Sequence, residues 1–109
     1  MIFRNPEPMT REELERNFQS TDTDIITESL VALAFYEKDW RWAQNICLEF
    51  LEDSNPTISG LAAVCLGHIA RIHHKLDKKK VLAALERRKK DPLTSGRIED
   101  ALSDISIFL

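Results

Sequence analysis

Laid over itself at an offset of 36, the chain places Leu30, Leu33 and Ala34 over Leu66, Ile69 and Ala70, and sets Leu66 and Ile69 over Leu102 and Ile105. Asn55-Pro56 then falls on Asp91-Pro92, and an offset of 38 matches Asp39 with Asp77 and Asp53 with Asp91. A self-similarity of 36 to 38 residues is the period of a two-helix unit, which cannot bury its apolar stripe without a neighbouring unit. The 109 residues hold about three such units, so one all-α domain of about six helices is expected over 1–109, with residues 1–9 a loose leading segment.

The helix boundaries follow from capping chemistry. Thr10 with Glu13 three residues later has the capping-box form, and Leu14 and Phe18 share one face of a short first helix. A second helix starting at Thr23 or Asp24 and running to about Glu37 is apolar around much of its girth (Ile25, Ile26, Leu30, Val31, Leu33, Ala34, Phe35), which predicts a central position. Asp39 is the expected N-cap of a third helix whose inner stripe is Ala43, Ile46, Cys47, Phe50 and Leu51. Asn55 caps and Pro56 starts a long fourth helix, to about His74, with the stripe Ile58, Leu61, Ala62, Cys65, Leu66, Ile69 and Ile72. Val64, His68, Arg71 and Lys75 form a different face of it. Asp77 is expected to cap a fifth helix carrying Val81, Leu82 and Leu85 inside. The sixth, from Thr94 or Ser95, keeps Ile98, Ala101, Leu102, Ile105, Phe108 and Leu109 on one stripe, which predicts a docked C-terminus.

Scarce glycine (3) and proline (4) argue against a sandwich or barrel. Met1 to Thr10 contains no apolar leader, and the longest apolar run, Leu30 to Tyr36, is far short of the roughly 20 residues that span a bilayer. A cytoplasmic protein without a membrane role is expected, with Cys47 and Cys65 as buried thiols rather than a disulfide. The net charge of −3 hides an asymmetry: Met1 to Thr57 carries five Arg/Lys against twelve Asp/Glu, and Ile58 to Leu109 carries ten against six. The halves, −7 and +4, offer a partner different fields.

The stretch Asp53-Ser54-Asn55-Pro56-Thr57-Ile58-Ser59, then Ala62-Ala63 and Leu66-Gly67-His68-Ile69, resembles the first helix of a HEAT-type repeat, and Leu76 to Asp91 resembles its second. Ser59 stands where that pattern usually carries Arg. Such repeats fix a fold and leave function open. More narrowly, a free-standing unit with Asp39-Trp40-Arg41-Trp42-Ala43-Gln44 before the repeat and Gly96-Arg97-Ile98-Glu99-Asp100-Ala101-Leu102 after it resembles the small all-helical immunity proteins of bacterial contact-dependent growth inhibition systems. The resemblance implies a cytosolic protein that neutralises a cognate toxin, often a nuclease, by tight binding.

Residues that could carry chemistry are few. His68, His73 and His74 lack the Cys-x-x-Cys or His-Glu-x-x-His companions of a zinc site, and Gly60, Gly67 and Gly96 stand alone rather than in a phosphate loop. No nucleophile is arranged with its base, so no enzyme, cofactor, metal or small-molecule substrate is expected. Gly67 beside His68 permits another backbone to approach closely. The basic stretch 71–90 could track a phosphate backbone, but it is lysine-rich without interleaved aromatics, which favours a solvated helix face over nucleic acid.

Tyr36, Trp40 and Trp42 form a more informative cluster, because Trp40 and Trp42 are two apart and one helix cannot bury both on the same face. Asp22, Asp24, Glu28, Glu37 and Asp39 surround them in sequence. These eight residues are the expected partner-binding group, the alternative for a Trp being to brace the first helix. An immunity-type inhibitor that blocks the active or substrate-binding site of a toxin through this acidic surface is therefore the leading expectation. The rival is a HEAT-like adaptor or nucleic-acid-associated module using the basic 71–90 region.

Overall fold

In the computed structural model, which describes residues 7–109, six helices follow in order: α1 (Arg11–Asn17), α2 (Thr23–Tyr36), α3 (Trp40–Leu51), α4 (Pro56–His73), α5 (Lys78–Arg88) and α6 (Ser95–Phe108). Residues 1–6 of the expected loose segment lie outside the described residues. Met9, at its end, is half-buried, with its Sδ accepting from Asn17 Nδ2 at 3.6 Å.

The starts of α1, α3 and α4 obey the local chemistry read from the sequence. Thr10 and Glu13 form a reciprocal capping box. Asp39 Oδ1 accepts from the Trp42 N–H at 3.1 Å, and Asn55 Oδ1 from the Thr57 N–H at 2.9 Å with Pro56 at the first helical position. Asn55 Nδ2 also donates to Thr23 Oγ1 (3.2 Å), tying the start of α4 to the start of α2. Asp77 stands at the N-cap of α5, but its side chain makes no capping bond. Its backbone N–H instead donates to the buried Gln44 Oε1 at 2.6 Å, so a tertiary contact from α3 holds that corner.

Residues roughly one repeat apart touch, which makes the alternate helices run parallel. Leu30 O accepts from Cys65 Sγ and Phe35 meets His68, joining α2 to α4. Gly60 lies against Arg97 and Gly67 against Ala101, joining α4 to α6. On the other side Phe18 packs on Phe50, Gln44 holds Asp77, and Glu52 pairs with Arg87. The molecule therefore has two layers, α1–α3–α5 and α2–α4–α6, and the short α1 completes the first as the apparent odd member of three helix pairs. Of the two arrangements open to a HEAT-like chain of this length, a short right-handed superhelix or a compact bundle, the extents of 30 × 27 × 27 Å show the bundle.

The core lies between the layers. Leu30, Leu33, Leu51, Leu66, Ile69, Leu85, Ile98 and Ile105 are fully buried, and the expected core residues Ile58 and Cys65 nearly so. Leu61 and Leu102 are half-buried. Leu102 is equivalent to Leu66 in the repeat but sits on a terminal helix that has a neighbour on one side only.

The central helix is α4 and not α2, against the expectation from girth. A stripe of small residues on α4 (Gly60, Ala63, Gly67, Ala70), all buried, lets neighbours close in. A Cβ on Gly67 would stand 3.3 Å from the Ala101 Cα and 3.1 Å from Asp104 Oδ2, so the close backbone approach expected there is made by α6. The apolar girth of α2 is not all core, for Ile25 and Phe35 are exposed. Ile72, expected on the inner stripe of α4, is also exposed, because the last turn of α4 runs past the end of α2. Where the repeat pattern carries Arg, Ser59 is buried, and Arg88 Nη2 of α5 reaches its Oγ at 3.4 Å.

Candidate functional site

The eight residues of the expected binding group do not form one patch. Asp22 caps α2, its Oδ1 accepting from the Asp24 N–H at 2.9 Å and the Ile25 N–H at 3.4 Å. Asp24 and Glu28 are exposed on the first half of that helix. Tyr36 and Glu37 stand at its other end, about 20 Å away by helical rise. Glu37 Oε1 accepts from the Asp39 N–H at 3.2 Å, and Asp39, besides capping α3, pairs with Arg11 at 3.6 Å. The Arg11 guanidinium carbon lies 4.0 Å from the Trp42 ring centroid, and Arg41 covers Trp40 at 5.0 Å. Both tryptophans are half-buried against the core. Trp42 thus braces α1; Asp24, Glu28 and Tyr36 are exposed along α2, and Asp22 and Asp39 are exposed while serving as caps.

A different surface does come together, on the outer side of the α2–α4–α6 layer. Asp24, Glu28, Val31 and Phe35 follow one another at helical spacing along α2, and Val64, His68 and Arg71 do so along α4, whereas Lys75, expected on the same face, lies past the left-handed His74 that ends the helix. Phe35 joins the two rows, its ring 4.4 Å from that of His68 and 6.0 Å from that of Tyr36. Arg71 links α4 to α6, pairing with Asp104 at 3.5 Å and lying 5.6 Å from the Phe108 ring centroid. His74 closes the corner with Nδ1 3.4 Å from Phe108 O, which holds the last turn of α6, while Leu109, expected on the inner stripe, is exposed because the helix ends there with no neighbour over it among the described residues. His74 itself takes the left-handed conformation, φ 53°, that ends α4.

His68 is held below the usual histidine range, first by burial and then by Arg71, with Asp104 opposing weakly. Its Nε2 is buried without a hydrogen-bond partner. Cys47 and Cys65 are free thiols that meet between α3 and α4, and the Cys65 side chain and burial together push the Cys47 thiol well up. Among the described residues no group of three or more His, Cys, Asp or Glu converges as a metal site would require. No helix among them is long and apolar enough to cross a membrane.

Past Arg71, the lysines and arginines of 71–90 that lie in a helix belong to the other layer. Lys78, Lys79 and Lys80 open α5 and are exposed, while Arg88 at its far end is held by Asp91 at 3.5 Å. An open hollow lined by Asn45, Leu48, Glu49 and Lys80 lies between α3 and α5, with no aromatic side chain in its wall.

The sequence reading missed Phe35, Ile72, Asp100 and Asp104 as surface features, although it set Val64 on a face apart from the core stripe. Phe35 and Ile72 were hidden inside apolar stripes that look like core. The signal available was the separate α4 face running through Val64 and His68.

No protein-family model matches this chain, and no curated protein does. Among solved structures, this chain is similar over nearly its whole length to a chain in the crystal structure of a CDI complex from Cupriavidus taiwanensis LMG 19424. The two share 29% sequence identity over 99% of this chain and 97% of that one, with a TM-score of 0.91. The resemblance to contact-dependent growth inhibition proteins read from the sequence meets its counterpart in this structural likeness.

Proposed function

From that likeness we infer that the chain is an immunity protein, a binding protein without chemistry of its own, that neutralises a cognate toxin in the cytoplasm. The observation that carries the reading is agreement in fold and sequence with a component of a CDI complex across essentially the entire length of both chains. A nuclease is the toxin class that suits an acidic inhibitor, because its substrate site gathers cations for phosphate. The inhibitor then covers that site with carboxylates in place of phosphates. Of the binding group, Asp24, Glu28 and Tyr36 reach outward from α2, with Asp22 and Glu37 at its ends. Asp39, Trp40 and Trp42 support the corner behind them.

The rival reading, nucleic-acid binding by the 71–90 region, draws on the cationic start and end of α5. It is disfavoured by the absence, among the described residues, of an exposed aromatic on that layer for bases to stack on. The test is protection. The reading expects a toxin gene immediately upstream of this chain, and cells producing its toxin domain are expected to keep intact nucleic acid and to grow when the protein is co-produced. Continued degradation and arrest would overturn the reading, and a toxin leaving nucleic acid untouched would overturn its nuclease part.

A further inference from the structure

The two layers differ in surface chemistry in two independent ways. Every exposed large apolar side chain that lies in a described helix belongs to α2, α4 or α6: Ile25, Phe35 (38%), Tyr36 (42%), Val64 (39%), Ile72 (43%) and Ile107 (69%). None belongs to α1, α3 or α5. The charge divides along the same line. In one layer α2 brings Asp24 and Glu28, α6 brings Glu99, Asp100 and Asp104 against Arg97, and α4 adds Arg71 alone, a net of −3. In the other, α3 is neutral, α1 carries −1, and α5 supplies five cations against Glu86, a net of +3. This division between layers is distinct from the one between the halves of the sequence, because the acidic α6 belongs to the basic half.

Outside the helices Leu93 (74%) and Leu109 (38%) are exposed too; scattered exposed apolar residues are ordinary, but the restriction of the helical ones to one layer is not. An apolar centre within a charged rim is how a protein interface is built, and a lysine-studded face without apolar groups is how a solvated one is built. Phe35 and Val64 flank His68 on the α2–α4 seam, with Ile72 one turn beyond it. Outside them, Asp24, Glu28 and Asp100 are exposed and form no ion pair among the described residues.

We propose that the outer face of the α2–α4–α6 layer is the docking surface for a basic protein partner, with Phe35, Val64 and Ile72 taking an apolar knob and Asp24, Glu28 and Asp100 meeting cations around it. The proposal rests on the toxin-neutralising reading and extends it, because it moves the contact from the acidic N-terminal half to a face completed by α6. The occupant's chemistry follows from complementarity: a layer whose helices sum to −3 attracts a cationic surface and repels phosphate.

The test measures binding of the purified toxin domain encoded upstream to the intact protein and three variants with unchanged unfolding midpoints. Val64→Arg places a charge in the apolar centre and is expected to weaken binding about thirtyfold or more, the loss typical of a central contact. Asp100→Lys, on α6 and far along the sequence from the acidic half, is expected to slow association several-fold and to reduce its sensitivity to salt. The triple change Lys78→Glu, Lys79→Glu and Lys80→Glu, on the opposite layer, is expected to leave affinity unchanged or improved. Toxin binding that survives Val64→Arg and Asp100→Lys but is lost with the lysines overturns the face and leaves the functional reading standing. Failure of the unaltered protein to bind the toxin overturns the functional reading and the proposed occupant together.

Discussion

His68 shows how one side chain can report the condition of a surface. Its ring lies on Phe35 and its pKa is lowered by burial first and Arg71 second, so the folded protein binds a proton there less readily than the unfolded chain. Above the ordinary histidine value of about 6.5 both states are neutral and the residue adds no pH dependence. As the pH falls below that value the unfolded chain takes up the proton first, and stability declines until the folded pKa is passed. His68→Gln is expected to flatten that part of the stability profile, measured by denaturant unfolding between pH 5 and 7.5, as conventional limits around about 6.5. Gly67, its neighbour in sequence, works by being absent as a side chain. Gly67→Ala would press a methyl group on the Ala101 backbone and on Asp104, and is expected to cost about 1 to 3 kcal/mol, read as a lower unfolding midpoint.

At the scale of elements, the most legible parts were the helix starts, because capping is decided by residues three apart in the sequence. Thr10 with Glu13, Asp39, and Asn55 with Pro56 all act as their types require. Asn55→Ala is expected to destabilise the fold by about 1 kcal/mol while leaving toxin affinity per folded molecule unchanged, since the side chain caps α4 and ties it to α2. What could not be read was which neighbour an apolar stripe faces. Phe35 and Ile72 keep helical spacing with true core residues, and periodicity alone does not separate a stripe that meets another helix from one left for a partner. Asp77 fails as a side-chain cap for a similar reason, its bond to Gln44 crossing 33 residues of chain. The acidic and aromatic group around Trp40 was found as a cluster in sequence, but a helix of 14 residues separates Asp22 from Glu37 in space. Trp42 stacks beneath Arg11, so Trp42→Ala is expected to loosen α1 specifically, seen as faster amide exchange over residues 11–17 than elsewhere.

For the whole molecule, two layers meet through a single core, and no repeat stands alone. Leu66→Ala, at the centre of that core, is expected to cost about 2 to 5 kcal/mol, and a single unfolding transition should shift as a unit. The buried thiols turn this arrangement into a clock. Cys47 belongs to one layer and Cys65 to the other, both are shut away from solvent, and the raised pKa of Cys47 keeps it in the unreactive thiol form. An alkylating reagent can therefore reach them only when the layers part, and the labelling rate, compared with that of a free thiol, counts how often this happens. A toxin seated on the outside of one layer would never touch either sulfur, yet by stabilising the closed form it should slow the clock in proportion to its occupancy.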